Sequence, residues 1–173
     1  MKQFSPHISA KKSRGAIVII LAIPIVLVGV AGFLYWFFAC PCERTPGGYL
    51  LGEESREVIA DWSFVNDVSL CQLQTRVFYL PHSLNLNCSS MEKELFIGCM
   101  NCEGKSWGAA LTEHGIARIR INDIVYPVAA RRLMQPAEKD RAWLSSSIKA
   151  ERQLDTPRPP DNIWWTFHLV TSL

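Results

Sequence analysis

The sequence predicts a mainly β domain of about six strands, closed as a barrel with one or two helices, behind a single transmembrane helix. Residues 16–39 carry no charge and consist mostly of Ile, Val, Leu, Phe and Ala. From residue 62 onward, short segments alternate apolar and polar side chains with a period of two, the mark of half-buried strands. One late helical pattern and no βαβ rhythm favour a barrel over a parallel sheet.

The N-terminal run comes first. A bilayer core about 30 Å thick needs roughly 20 apolar residues at 1.5 Å rise each, and residues 15–39 meet that length. Tyr35 and Trp36 stand near its C-terminal end, where amphipathic rings favour the membrane–water interface. Lys2, Lys11, Lys12 and Arg14 precede the run, and no acid does. The remaining 14 basic residues of 18 face all 16 acids after it. A tail of +4 is thus joined to a domain of −2, and the basic flank is expected to stay cytoplasmic. The expected layout is a tail at 1–14, a bilayer-spanning helix at 15–39, a linker at 40–61 and a periplasmic or extracellular domain at 62–173. A cleaved signal peptide has a shorter apolar region, about 7–15 residues. Cys40 follows a small residue, Ala39, as in a lipoprotein signal, but Phe37 stands where an aliphatic residue is usual.

In the domain, residues 68–75 read V-S-L-C-Q-L-Q-T, and residues 77–80 continue that strand after a bend. Residues 83–88 place Leu84, Leu86 and Cys88 on one face, and residues 94–98 form a short apolar strand. Residues 116–121 and 124–133 form a hairpin around Asn122-Asp123, which is turn chemistry. Pro136 suits a first helical position and Glu138 a first turn, so a helix runs from 136 to about 152, with Leu144 and Ile148 one turn apart. The Pro-rich residues 156–161 form a loop. The aromatic residues 163–170 form the closing strand.

The chemistry-bearing residues are few. Six cysteines, at 40, 42, 71, 88, 99 and 102, suit an oxidising compartment, but spacing does not fix their pairing. Cys99-Met-Asn-Cys102 has the spacing of a redox motif or of half a zinc site. No second such pair and no His pair accompanies it, and Glu103-Gly104-Lys105 reads as a turn, so no metal is expected. His82 sits at a strand entry, whereas His114 falls in a surface loop and His168 on the last strand. Arg118, Arg120, Arg131 and Arg132 cluster on the hairpin and read as a solvated face or a phosphate contact. The acidic balance of the domain argues against nucleic acid.

One order of motifs carries a resemblance. Leu73-Gln74-Thr75 ends a strand, Pro81-His82-Ser83-Leu84-Asn85 begins the next, and Leu95-Phe96-Ile97-Gly98 follows. Then come Gly104-Lys105-Ser106-Trp107, Tyr126-Pro127-Val128-Ala129-Ala130-Arg131, and Ala137-Glu138. Across residues 62–143 this resembles the split β-barrel superfamily of pyridoxamine-phosphate-oxidase-like and deazaflavin-dependent nitroreductase-like proteins. The resemblance implies a barrel that often dimerises and holds FMN or a deazaflavin. Thr75, His82, Ser83, Asn85, Lys105 and Trp107 would then line the cofactor groove. Arg76-Val77-Phe78-Tyr79-Leu80 departs from the pattern, because the family usually has a glycine-containing basic turn there. That departure and the outward location argue against a resident cofactor. They favour a non-catalytic accessory or interaction subunit, meeting a membrane-protein partner or a second copy of itself. The other reading is a flavin- or deazaflavin-dependent oxidoreductase that reduces a quinone or nitro compound.

Overall fold

The computed structural model describes residues 13–39, 41 and 45–172, with the backbone alone for 13–20. Lys2, Lys11, Lys12, Cys40 and Cys42 lie outside the described residues, as does the side chain of Arg14. The chain divides into two compact units, the first ending at Trp36 and the second spanning Phe37–Leu173.

The first unit is helical. Helix α1 runs Ser13–Phe38 with Pro24 inside it, and Leu21–Phe38 is long and apolar enough to cross a membrane. None of that window is buried in protein. A helix apolar on every side needs an apolar surrounding.

The second unit is mainly β, with eight strands among the described residues. They are β1 (Glu53–Glu54), β2 (Cys71–Val77), β3 (Leu80–Leu86), β4 (Cys88–Met91), β5 (Glu94–Met100), β6 (Ile116–Ile121), β7 (Ile124–Arg132) and β8 (Trp164–Thr171). Helices α2 (Ser106–His114) and α3 (Pro136–Lys149) complete it. The sheet order is β3-β2-β6-β7-β8-β5-β4, with β1 paired in parallel to β7 off that path. Every other pairing is antiparallel. The sheet curls into a half-barrel. Its concave face buries Leu73, Ile97, Ile119, Val128, Phe167 and Leu169 together with Leu111 of α2. A smaller cluster of Phe96, Leu133, Ala142 and Trp164 lies under α3.

Several expectations are corrected. There are eight strands rather than six, because residues 83–91 form two strands and residues 53–54 form another. The chain turns at Asn87, and Cys88–Met91 then pairs with β5. Residues 68–70 precede β2 instead of starting it. The segment before them is held to β4, where the Asn66 side chain donates to Ser90 O at 3.0 Å and accepts from Ser90 N at 2.8 Å. Residues 77–80 do not bend and continue; they are the tip of a hairpin, with Val77 opposite Leu80. His114 is not in a loop but is the last residue of α2. That helix ends at Gly115 in the left-handed conformation (φ 62°), with Gly115 N donating to Leu111 O, a glycine stop. On α3 the exposed Leu144 and Ile148 face away from the core, which takes Ala142 and Ser145 instead.

Three hairpins share one turn geometry. Phe78-Tyr79 joins β2 to β3, Glu92-Lys93 joins β4 to β5, and Asn122-Asp123 joins β6 to β7. All six residues have positive φ, between 49° and 71°. This is the two-residue turn whose twist matches its strands, and it favours Asn, Asp or Gly.

Two disulfides join the described cysteines. Cys99–Cys102 closes the end of β5 onto the short turn before α2, with Cα atoms 5.4 Å apart. Cys71–Cys88 joins the start of β2 to the start of β4, with Cα atoms 5.9 Å apart. Strands β3 and β4 are the two ends of the sheet path, so this bond crosses the open side of the half-barrel.

Candidate functional site

A groove of about 530 Å³ opens between β3, the N-terminal end of α2 and the segment around Thr45. His82, Asn85, Lys105 and Trp107 line it, together with Thr45 and Ser106. Its volume lies within the range of about 300–1,000 Å³ usual for ligand sites.

The two halves of the groove have separate origins. On β3, alternate residues face one side, which turns His82 away from its neighbour Ser83. The segment before β1 is bound to the outer edge of β3. Gly47 N donates to Ser83 O at 2.8 Å, and Ser83 N donates to Gly47 O at 2.9 Å. Asn85 Nδ2 donates to Pro41 O at 3.4 Å. On the other side, Lys105 is the residue before α2, in extended conformation. The first helical bond there is Gly108 N to Lys105 O at 3.1 Å. The amides of Ser106 and Trp107 therefore belong to the first turn, where a helix presents N–H groups and positive potential to an anion.

The charge of the groove is uneven. Burial lowers the pKa of His82 from its ordinary value of 6.5, so its imidazole is neutral at pH 7 and serves as a hydrogen-bonding group. Among the described residues, the exposed Lys105 is then the cation that lines the site. Trp107 is only 6 % exposed and its ring lies 6.3 Å from Phe167, so it forms the floor.

Two of the six residues implied by the resemblance do not reach the groove. Thr75 faces His82 across the β2–β3 ladder, but it is 3 % exposed and its hydroxyl donates to Ile116 O at 3.3 Å. Ser83 is fully buried, and its Oγ has no hydrogen-bond partner among the described residues. Thr45 and Ser106 were not predicted. Ser106 opens a helix that the sequence reading does not contain, and Thr45 carries no sequence signal.

The arginine cluster serves the fold. Arg118 donates to Leu50 O at 2.9 Å, to Gln74 Oε1 at 3.0 Å and to Glu54 at 2.8 Å, and it stacks on Tyr49. Arg120 donates to Leu51 O at 2.7 Å. These bonds strap residues 49–54 onto β2 and β6. Arg131 pairs with Glu138 at 2.8 Å, and Arg132 lies over the Trp165 ring.

A second cavity, about 640 Å³, lies between α3 and β4–β5. Its Lys149 donates to Val65 O and Cys88 O, both at 2.7 Å. Burial lowers the pKa of this amine. Its bonds make it a clamp between α3 and β4.

The fold is that of split-barrel proteins. A protein from Listeria innocua, assigned as a pyridoxamine 5'-phosphate oxidase, superposes with a TM-score of 0.50 at 10 % identity, over 63 % of this chain and 88 % of that one. A conserved hypothetical protein of Mycobacterium tuberculosis gives 0.47 at 13 % identity, over 69 % of this chain and 85 % of that one. The FAD binding protein of Mycobacterium smegmatis gives 0.43 at 14 %, over 65 % and 86 %. No protein-family model and no curated protein matches the sequence.

Proposed function

We propose that this protein is a membrane-anchored, extracytoplasmic split-barrel domain that holds a phosphate-bearing flavin or deazaflavin in the β3–α2 groove and acts as an oxidoreductase. The observation that carries the proposal is that His82, Asn85, Lys105 and Trp107 line one groove at a helix N-terminus. The residues fit such a group. Lys105 and the first-turn amides of α2 would take the phosphate, with charge-assisted bonds. Asn85 and the neutral His82 would meet polar edges of the ring system, and Trp107 would floor the groove. When bound, the cofactor supplies hydride transfer, while the protein contributes binding, orientation and electrostatics.

Three features support the anchored, outward-facing arrangement. Leu21–Phe38 has the length and composition of a membrane span. The basic residues at 2, 11, 12 and 14 precede it. Both disulfides suit an oxidising compartment.

One observation favours the second reading, a non-catalytic interaction subunit. The segment between Thr75 and Pro81 is an exposed aromatic hairpin tip and not a glycine-rich turn around a phosphate. Titration of the detergent-solubilised full chain with FMN and with a deazaflavin separates the two. Saturable, stoichiometric quenching of cofactor fluorescence is expected. Absence of binding by both would falsify the oxidoreductase reading and leave the interaction subunit.

A further inference from the structure

The β2–β3 hairpin tip is built against its own backbone preference. Phe78 and Tyr79 hold φ of 49° and 67°, a region that bulky residues rarely enter. Strain of this kind gathers at functional sites. Among the described residues nothing covers these rings, since Phe78 is 87 % exposed and Tyr79 98 %. Leu80 is also exposed, and so is Arg76 just before the tip. The other two hairpins have the same geometry but carry charged or amide side chains, Glu92-Lys93 and Asn122-Asp123. Apolar aromatics are therefore not a requirement of the turn.

The chain leads from the apolar segment to this hairpin. Tyr49 N donates to Phe37 O and Gly48 N to Ala39 O, so the end of the apolar run is held beside residues 48–49. The adjoining Gly47 pairs with Ser83 of β3. From Ser83 to Tyr79 is four residues of strand and turn, a reach of at most about 13 Å at the rise of a strand.

We infer that the Phe78-Tyr79 tip is a membrane-contact element that seats its two rings in the interfacial layer of the bilayer. The inference rests on the anchor proposed above. The chemistry fits an aromatic belt, where rings lie at headgroup level, and Arg76 fits anionic headgroups. A lipid surface is favoured over a protein partner because the element is a two-residue tip, which offers too little area for a stable protein interface, in a domain whose chain continues from a segment able to span the bilayer.

The test is photo-crosslinking of the full chain in liposomes of phosphatidylcholine with phosphatidylglycerol. Three variants each carry p-benzoylphenylalanine, at Val28, Tyr79 or Asn122. Asn122 is the control, because the β2–β6 register (Gln72 opposite Arg120) puts its hairpin at the other end of those strands. Lipid adducts at positions 28 and 79, at least several-fold above those at 122, are expected. Adducts at 28 with none at 79, or with protein adducts only at 79, overturn the inference and leave the anchor standing. Equal lipid labelling at 79 and 122 overturns it as well. No lipid adduct at 28 removes the anchor, and the inference with it.

Discussion

The sulfur of Cys102 stands so close to Gly108 that a Cβ on that residue would overlap it. Alanine in place of a helical glycine ordinarily stabilises by about 1 kcal/mol. Here the added methyl would meet a buried disulfide that cannot rotate aside. Gly108→Ala is expected to destabilise the domain by about 1–3 kcal/mol, the usual cost of overpacking. The urea midpoint of the oxidised protein measures it, and an increase would show that α2 does not rest on the disulfide.

The two disulfides differ in what they restrain. Cys71–Cys88 closes a 17-residue separation and Cys99–Cys102 one of three. In the chain-entropy account the longer loop contributes about 3 kcal/mol and the shorter about 2. Cys71→Ala/Cys88→Ala is therefore expected to lower the urea midpoint more than Cys99→Ala/Cys102→Ala does. Equal losses would show that the bond across the open side adds nothing through its loop length.

Relieving the hairpin tip should strengthen the fold. Phe78→Asn/Tyr79→Gly replaces two strained residues with the pair this turn prefers, for a gain of about 1–3 kcal/mol. Its midpoint in detergent should rise, while benzoylphenylalanine placed at Leu80 of that variant should lose its lipid adducts. A lower midpoint would mean that the aromatic rings stabilise the folded domain.

Lys105 is a cation lining the groove. Lys105→Ala is expected to weaken FMN binding about 10–100-fold, the loss of one hydrogen bond to a charged group, and to leave the urea midpoint unchanged because the side chain is exposed. Riboflavin, which lacks the phosphate, should bind wild type and variant alike. If FMN affinity does not change, the phosphate lies elsewhere.

Stability should fall in mild acid. Burial lowers the pKa of His82, and chiefly burial lowers that of His168, from an ordinary 6.5. The unfolded chain then binds protons first, so their contribution is intact above about pH 6.5 and declines as pH drops below it. Urea midpoints at pH 7.5 and 5.5 measure the drop, and His82→Gln should reduce it. An equal drop in that variant would assign the effect to other groups.

Legibility in the sequence followed local chemistry. Asn122-Asp123 announces its turn, so residues 116–121 were bounded correctly as β6 and the start of β7 was found. Phe78-Tyr79 and Glu92-Lys93 adopt the same turn without any of its residues; the sequence therefore hides the hairpin tip at 78–79 and strand β4 before Glu92, although β5 starts at Glu94 as expected. Helix α2 was missed because Gly108 and its short length weaken the helical signal; tertiary contact with the Cys99–Cys102 turn holds it. The same miss hid Ser106. His82, Asn85, Lys105 and Trp107 were named by motif order. Thr75 and Ser83 were named with them, but their neighbours on β6 and Gly47 enclose them, a fact of packing that a linear motif does not carry.

The bond between Cys71 and Cys88 also bears on how the chain avoids its neighbours. An open sheet has two rims of unsatisfied backbone, and each can recruit a strand from another molecule. Here the rims are β3 and β4, consecutive in sequence, and the sulfur bridge ties the β4 rim to β2, the strand beside the β3 rim. Gly47 covers part of the β3 rim as well. Without that bridge the β4 rim would be held less firmly to the rest of the sheet. Oxidation of this pair is thus expected to limit strand-edge association as well as to reinforce the fold.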